Sequence, residues 1–169
     1  AVPKTAQAET GDPFGLAYSQ AVESSDRTFR IVLNSSPTPQ TLSSRFLHGF
    51  MGAGVQHLAL QTDDIFKSAQ LLKERGAQTL PIPANYYEDL QARFDLDSAL
   101  IERLAANDIL YERDGQGEYF QLFTRAFAKR FFFEIVQRRN YQAYGASNAA
   151  VRIAAQSRYR PDARPPEQR

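Results

Sequence analysis

Two side chains in this sequence sit where apolar strands seldom carry them. His57 lies inside Val55-Gln-His-Leu-Ala-Leu60, and Glu134 lies inside Phe131-Phe-Phe-Glu-Ile-Val-Gln137. An ionised carboxylate among phenylalanines is costly unless it is paired, hydrogen-bonded or bound to a cation. The two-residue strand period puts Glu134 on one face with Phe132 and Val136, and Phe131, Phe133 and Ile135 on the other. The composition of this run predicts a strand buried on both faces, one bearing the carboxylate and the other packing on helices. His57 shares a face with Val55 and Ala59. Taken singly, His57 reads as a satisfied core histidine, and Glu134 as half of an ion pair with Arg138 or Arg130. Taken together, an imidazole and a carboxylate, each at mid-strand, suit a divalent first-row metal. Two protein ligands leave such a site incomplete, since the usual facial arrangement is two histidines and one carboxylate. The other histidine, His48, falls on a helix beside Gly49 and reads as a surface or helix-end residue.

Further polar residues interrupt apolar segments. Gln121 stands in Phe120-Gln-Leu-Phe-Thr124, Asn34 ends Thr28–Leu33, and Ser19 lies inside Leu16–Val22. Each suits an ordinary satisfied polar group, and together they suit the few convergent polar groups of a pocket. Tyr86 and Tyr87 read as packing residues, and Arg138-Arg139 as a solvated strand end. The sequence has no Gly-rich phosphate loop, no Gly-x-Ser-x-Gly elbow and no His-Glu-x-x-His helix.

The elements that must position these residues follow from pattern and punctuation. Residues 1–13 read as a loop or linker. Residues 14–53 form a partial module: strands Leu16–Val22 and Thr28–Leu33 joined by a turn, then a helix capped by Thr41 or Ser43. Residues 54–158 form a complete unit. It starts with strand 55–60 and a helix from Thr62 or Asp63 to Arg75, stopped by Gly76. An extended Thr79–Pro83 segment and short helices over 86–94 and 97–107 come next, the second capped by Asp97. Strands 109–113 and 118–124 flank Asp114-Gly-Gln-Gly117, a hairpin signal. The last strand is 131–137, followed by a helix over 144–156. Residues 159–169 read as a tail.

Composition narrows the function. The 169 residues include 20 Lys and Arg against 19 Asp and Glu, a net charge of +1, and no cysteine. Near-neutral charge argues against a nucleic-acid or membrane partner. The missing cysteines exclude disulfides, thiolate metal sites and thiol nucleophiles, and fit a cytoplasmic protein. No apolar run approaches the ~20 residues of a membrane span.

Several motifs resemble a known family: Gly54-Val-Gln-His-Leu-Ala-Leu60, Thr62-Asp-Asp-Ile65, Pro83-Ala-Asn-Tyr-Tyr87, Phe120-Gln-Leu-Phe-Thr124 and Phe131-Phe-Phe-Glu-Ile-Val-Gln-Arg138. Together they resemble the C-terminal domain of 4-hydroxyphenylpyruvate dioxygenases, in the vicinal-oxygen-chelate superfamily. The implied fold is α+β: a complete βαβββ module preceded by the second half of a similar one. The resemblance implies that His57 and Glu134 are two of three metal ligands, and that Ser19, Asn34 and Gln121 occupy substrate-binding positions. A finer likeness, through Pro81–Phe94, Leu110–Asp114 and Tyr144–Asn148, is to the C-terminal region of fused bacterial 3-dehydroshikimate dehydratases. Two departures stand out. The strand bearing the family's first ligand histidine is not in this chain, so the third protein ligand must come from elsewhere. Ala149 stands where the dioxygenases place a phenylalanine.

The resemblance implies a metal-binding, dioxygenase-like module, the C-terminal part of an enzyme that converts 3-dehydroshikimate to protocatechuate in aromatic catabolism. Its divalent metal would be Fe(II), its substrate a small aromatic or 2-oxo acid, and its first partner the upstream part of the same polypeptide. A homo-oligomer is compatible with this reading. The alternatives are part of a true Fe(II)-dependent dioxygenase that makes homogentisate, and a non-catalytic assembly module with a vestigial site.

Overall fold

The computed structural model describes residues 2–3, 8–26, 28–115, 117–127, 131–143 and 145–158. The hairpin expected near the front is the centre of a first sheet. Its strands are β3 (Gly15–Glu23) and β4 (Arg30–Ser35), antiparallel, with Ser19 opposite Asn34 and Glu23 opposite Arg30. The preceding stretch was expected as a loop over 1–13 but adds strands. β2 (Ala8–Asp12) pairs with β3 from Ala8 opposite Ser19 to Asp12 opposite Gly15, and β1 (Val2–Pro3) pairs with its far end. The Asp12 carboxylate holds the turn, accepting from the Phe14 N–H (2.9 Å) and from the Leu42 N–H at the next helix (2.9 Å). A ladder is made of backbone groups, so Ala8-Glu-Thr-Gly-Asp12 needs no apolar alternation to be a strand. Helix α1 (Leu42–Phe50) starts where Thr41 accepts from the Ser44 N–H (3.3 Å), and ends at left-handed Met51.

The second sheet comprises β5 (His57–Gln61), β6 (Ile109–Arg113), β7 (Glu118–Phe123) and β8 (Phe132–Arg139), in the order β5-β8-β7-β6. β5 runs parallel to β8 and the other pairs are antiparallel. The crossover from β5 carries α2 (Ile65–Glu74), α3 (Ala84–Phe94) and α4 (Ser98–Ala106). Asp64, rather than Thr62 or Asp63, caps α2, because its carboxylate reaches the Lys67 N–H (3.0 Å) while Thr62 bonds Ser68. Gln137 also holds the start of α2, accepting from the Ile65 N–H (3.1 Å) and donating to the Asp63 carbonyl (2.7 Å). Thr79–Pro83 makes the irregular crossing its prolines require. Leu80 N–H bonds the Phe123 carbonyl (2.8 Å), and Asp108 accepts from Thr79 and from the Ile82 N–H.

Cross-strand register sorts the second sheet into two faces. Ala59, Glu134 and Phe123 lie in one row, and Gln61, Val136 and Gln121 in the next, with His57 and Phe132 on the same side. The opposite face, through Ile135, Leu122, Phe120 and Ile109, packs on α2 and α4 in the main core. The expected burial of both β8 faces holds on the Glu134 face, at Phe132 and Val136, but is incomplete on the other, where Ile135 is half-buried and Phe133 is 40% exposed. Phe133 pairs with Leu58 beside the β5 edge, where both side chains remain exposed. Helix α5 (Ala146–Arg158) covers the other side, touching β2 of the first sheet and β6 of the second. The expected tail, 159–169, lies outside the described residues.

Candidate metal and ligand site

Glu134 reaches its position because β8 alternates: Phe132 and Val136 anchor the same face, and the carboxylate between them is 6% exposed. Parallel pairing sets His57 opposite Phe132, and the imidazole stacks on the Phe132 ring (centroids 4.8 Å, interplanar 7°). His57 Nε2 then stands 3.5 Å from Glu134 Oε2. Two atoms that each ligate one cation at about 2.1 Å stand about 3.0 to 3.4 Å apart. At 3.5 Å the two donors stand just outside that span, and they are an imidazole nitrogen and a carboxylate oxygen of the kinds a first-row cation takes. Nδ1 of His57 is buried without a hydrogen-bond partner, so the ring is oriented by Phe132 rather than by a second bond. Among the described residues no group of three or more His, Cys, Asp or Glu comes together. His48 is not part of the site: it is exposed on α1, its Nδ1 beside the Ser44 carbonyl (3.1 Å).

The other carboxylate oxygen is held by protein. Gln121 Nε2 donates to Glu134 Oε1 (2.8 Å), and Asn148 Nδ2 donates to Gln121 Oε1 (2.8 Å). The Tyr86 hydroxyl extends the chain, its proton directed to Asn148 Oδ1 (3.2 Å) or the Tyr111 carbonyl (3.0 Å), while it accepts from the Tyr111 N–H (2.9 Å). One connected set of hydrogen bonds thus runs from α3 through α5 and β7 to Glu134. Burial pushes the Tyr86 phenol up to about 12, with the Tyr111 backbone bond opposing it. Burial pushes the Tyr119 phenol up as well, helped by the Glu134 charge. Gly145, with φ of 70°, lets α5 begin against this sheet, since a Cβ there would meet Gln121 Oε1 at 2.6 Å and Tyr119 Cε1 at 2.5 Å.

Ser19 and Asn34 lie in the first sheet. They bond each other, Ser19 Oγ donating to Asn34 Oδ1 (2.6 Å), and no hydrogen bond among the described residues joins them to His57, Gln121 or Glu134. They share the face of Ala17 and Ala21, which are buried. Of the arginines expected to balance Glu134, Arg138 turns away: it lies over the Tyr119 ring (4.4 Å) and donates to the Ala143 carbonyl. It is half-buried, not a solvated strand end. Arg130 lies outside the described residues. Arg152 of α5 does feel that charge: its positive form is disfavoured by burial and favoured by Glu134. Asn148, Arg152 and Tyr86 were not expected as site residues. A signal was present, because Asn148, Arg152 and Gln156 recur every four residues along an Ala-rich helix and so form one polar stripe.

Two strand-built units around an inward-facing imidazole and carboxylate, closed by a terminal helix, define the vicinal-oxygen-chelate fold. Two solved structures share it. One is a mutant 4-hydroxymandelate synthase from Streptomyces coelicolor, 27% identical, with a TM-score of 0.80, covering 92% of this chain and 46% of that one. The other is a fusion of a xylose isomerase-like TIM barrel with a 4-hydroxyphenylpyruvate dioxygenase, 38% identical, with a TM-score of 0.73, covering 91% of this chain and 25% of that one. In sequence the chain is similar to the 3-dehydroshikimate dehydratase of Pseudomonas putida, 46% identical over 151 residues, 88% of this chain and 24% of that protein. It is also similar to the 4-hydroxyphenylpyruvate dioxygenase of Legionella pneumophila, 34% identical over 133 residues, 77% of this chain and 38% of that protein. The chain thus spans about a quarter of the dehydratase and well under half of the dioxygenase. No protein-family model matches it. Among the described residues no helix is long and apolar enough to cross a membrane.

Proposed function

We propose that this chain supplies two ligands of a divalent-metal site in a longer enzyme of the 3-dehydroshikimate dehydratase type. His57 and Glu134 hold the metal, Fe(II) by the chemistry of an imidazole–carboxylate site. A third protein ligand comes from outside these residues, in the upstream part of the same polypeptide. The observation that carries the reading is the 3.5 Å separation of His57 Nε2 and Glu134 Oε2 on one sheet face. When bound, such a metal supplies charge and open positions for a small aromatic or 2-oxo acid. Gln121 orients Glu134 and, with Asn148, stiffens the face on which the ligand lies. Ser19 and Asn34 present their polar atoms from the first sheet. The likeness to the Pseudomonas dehydratase, stronger than that to the dioxygenase, supports the dehydratase setting.

A second reading, part of a dioxygenase that makes homogentisate, draws on the Legionella likeness. Elemental analysis and product analysis separate them. The whole protein is expected to retain stoichiometric metal, and His57→Ala and Glu134→Gln are each expected to lose it with unchanged far-ultraviolet dichroism. Residues 1–169 alone are expected to hold metal weakly. With 4-hydroxyphenylpyruvate and oxygen no homogentisate is expected, and its formation would favour the second reading. Metal retained in both variants would overturn the ligand assignment.

A further inference from the structure

The stripe on α5 brings a cation to the site face that the metal reading does not use. The Arg152 guanidinium lies 5.7 Å from the Phe123 ring centroid and 5.5 Å from that of Phe132. Phe123 is the cross-strand neighbour of Glu134, and Phe132 is the ring on which His57 stacks. Arg152 therefore sits on the same patch as both proposed ligands. It is not bound to Glu134: the two carboxylate oxygens face Gln121 (2.8 Å) and His57 (3.5 Å), and no ion pair within 4 Å joins Arg152 to any described residue. Its described hydrogen bond runs from Nη1 to Gln156 Oε1 (2.8 Å), a neutral partner one turn along the helix. The side chain is half-buried, so part of the fork stays open.

A guanidinium presents five N–H donors in a planar fork that matches a carboxylate in pairs. Pressed against aromatic rings it has lost much of its hydration, and the neutral Gln156 replaces only one bond. An anion arriving at this face would recover the rest through charge-assisted bonds. The two rings beneath are each 3% exposed, so of this patch it is the guanidinium that an incoming acid would meet.

We propose that Arg152 is a specificity-determining residue that anchors the carboxylate of an aromatic acid bound on this face. The inference rests on the reading that the site takes a small aromatic or 2-oxo acid, but it does not need the metal. The test is accordingly run in chelator, which keeps failure of the metal assignment distinct from failure of the anchor. Binding of 4-hydroxyphenylacetate and of its uncharged amide to the whole protein would be measured by calorimetry or ligand-observed NMR. The acid is expected to bind on the order of tenfold or more tightly than the amide, the range that bonds to charged groups support. Arg152→Leu should erase that preference while leaving amide binding within about twofold, and Arg152→Lys should keep part of it. Equal affinity of acid and amide, no saturable binding of either, or a preference that survives Arg152→Leu would each overturn the proposal. If Arg152→Leu does not fold, Arg152→Gln gives the same readout, because it keeps a polar side chain without the charge. A role as mere counter-ion to Glu134 predicts a different result: a lower melting temperature in Arg152→Leu, with the acid preference intact.

Discussion

The two sheets share a local plan but differ in what covers them. In the second, α2 and α4 lie on one face and α5 on the other, and Tyr111, Phe120 and Leu122 are sealed between layers. In the first, the inner face is closed at Ala17 and Ala21, while Leu16, Ile31 and Leu33 on the outer face stand in solvent. The polar residues follow the same division. Gln121 and Glu134 are buried and joined to each other, whereas the side chains of the exposed Ser19–Asn34 pair bond only each other among the described residues. A buried polar network must be satisfied and is therefore rigid, while an open pair can exchange its partner for water or a ligand. The second sheet thus has the character of a framework for fixed chemistry, and the first that of an adjustable wall.

The largest effect that sharpens this contrast comes from truncating matched apolar residues. Phe120→Ala, at 1% exposure, should cost about 3–5 kcal/mol in denaturant unfolding. Leu33→Ala, at 56% exposure, should change stability by less than about 0.5 kcal/mol. Similar losses at both positions would show that the outer face of the first sheet is as well packed as the core. Next comes Gly145→Ala, which combines a positive φ with a clash against Tyr119 and Gln121. About 2–3 kcal/mol is expected from strain and overpacking, and α5 should lose amide-exchange protection while β3 and β4 keep theirs. The smallest effect is in alkali. Burial raises the phenols of Tyr86, Tyr111, Tyr119 and Tyr141, all in or against the second sheet. A phenol whose folded pKa is raised favours the folded state fully below its unfolded pKa of about 10. That contribution is lost as pH rises through the folded value, about 12 for Tyr86. Ultraviolet titration should therefore show late ionisation coinciding with unfolding of the second sheet. Phenols that ionise near pH 10 without any structural change would contradict the sealed framework.

Strand period alone put Glu134 with Phe132 and Val136, and His57 with Ala59, because alternation is a local property that burial on one face writes into the chain. The elements around them were legible for similar reasons: Gly76 ends α2 at a positive φ, and Asp97 caps α4. What could not be read was set by contacts distant in sequence. β2 was missed because its pairing with β3 uses backbone groups and an Asp12 carboxylate that reaches ahead to Leu42. Tyr86 was taken for packing because its hydroxyl meets Asn148 only after α5 folds back over the sheet. The counter-charge for Glu134 was sought at Arg138 or Arg130; Arg138 turns to Tyr119 and Arg130 lies outside the described residues, while a cation that feels Glu134 rides on α5, which sequence alone could not bring to this face.

Tyr86 also bears on how this chain behaves among its own copies. β6 is an outermost strand of its sheet, and an outermost strand exposes backbone groups on which a foreign strand can start a ladder. At Tyr111 the N–H donates to the phenolic hydroxyl, and the carbonyl shares that hydroxyl's one proton with Asn148. A single side-chain oxygen thus occupies the place of a neighbouring strand, and the rim is sealed there against cross-β growth. Replacing Tyr86 by phenylalanine would keep the ring in place and still break that seal, turning a conservative change into an invitation to aggregate.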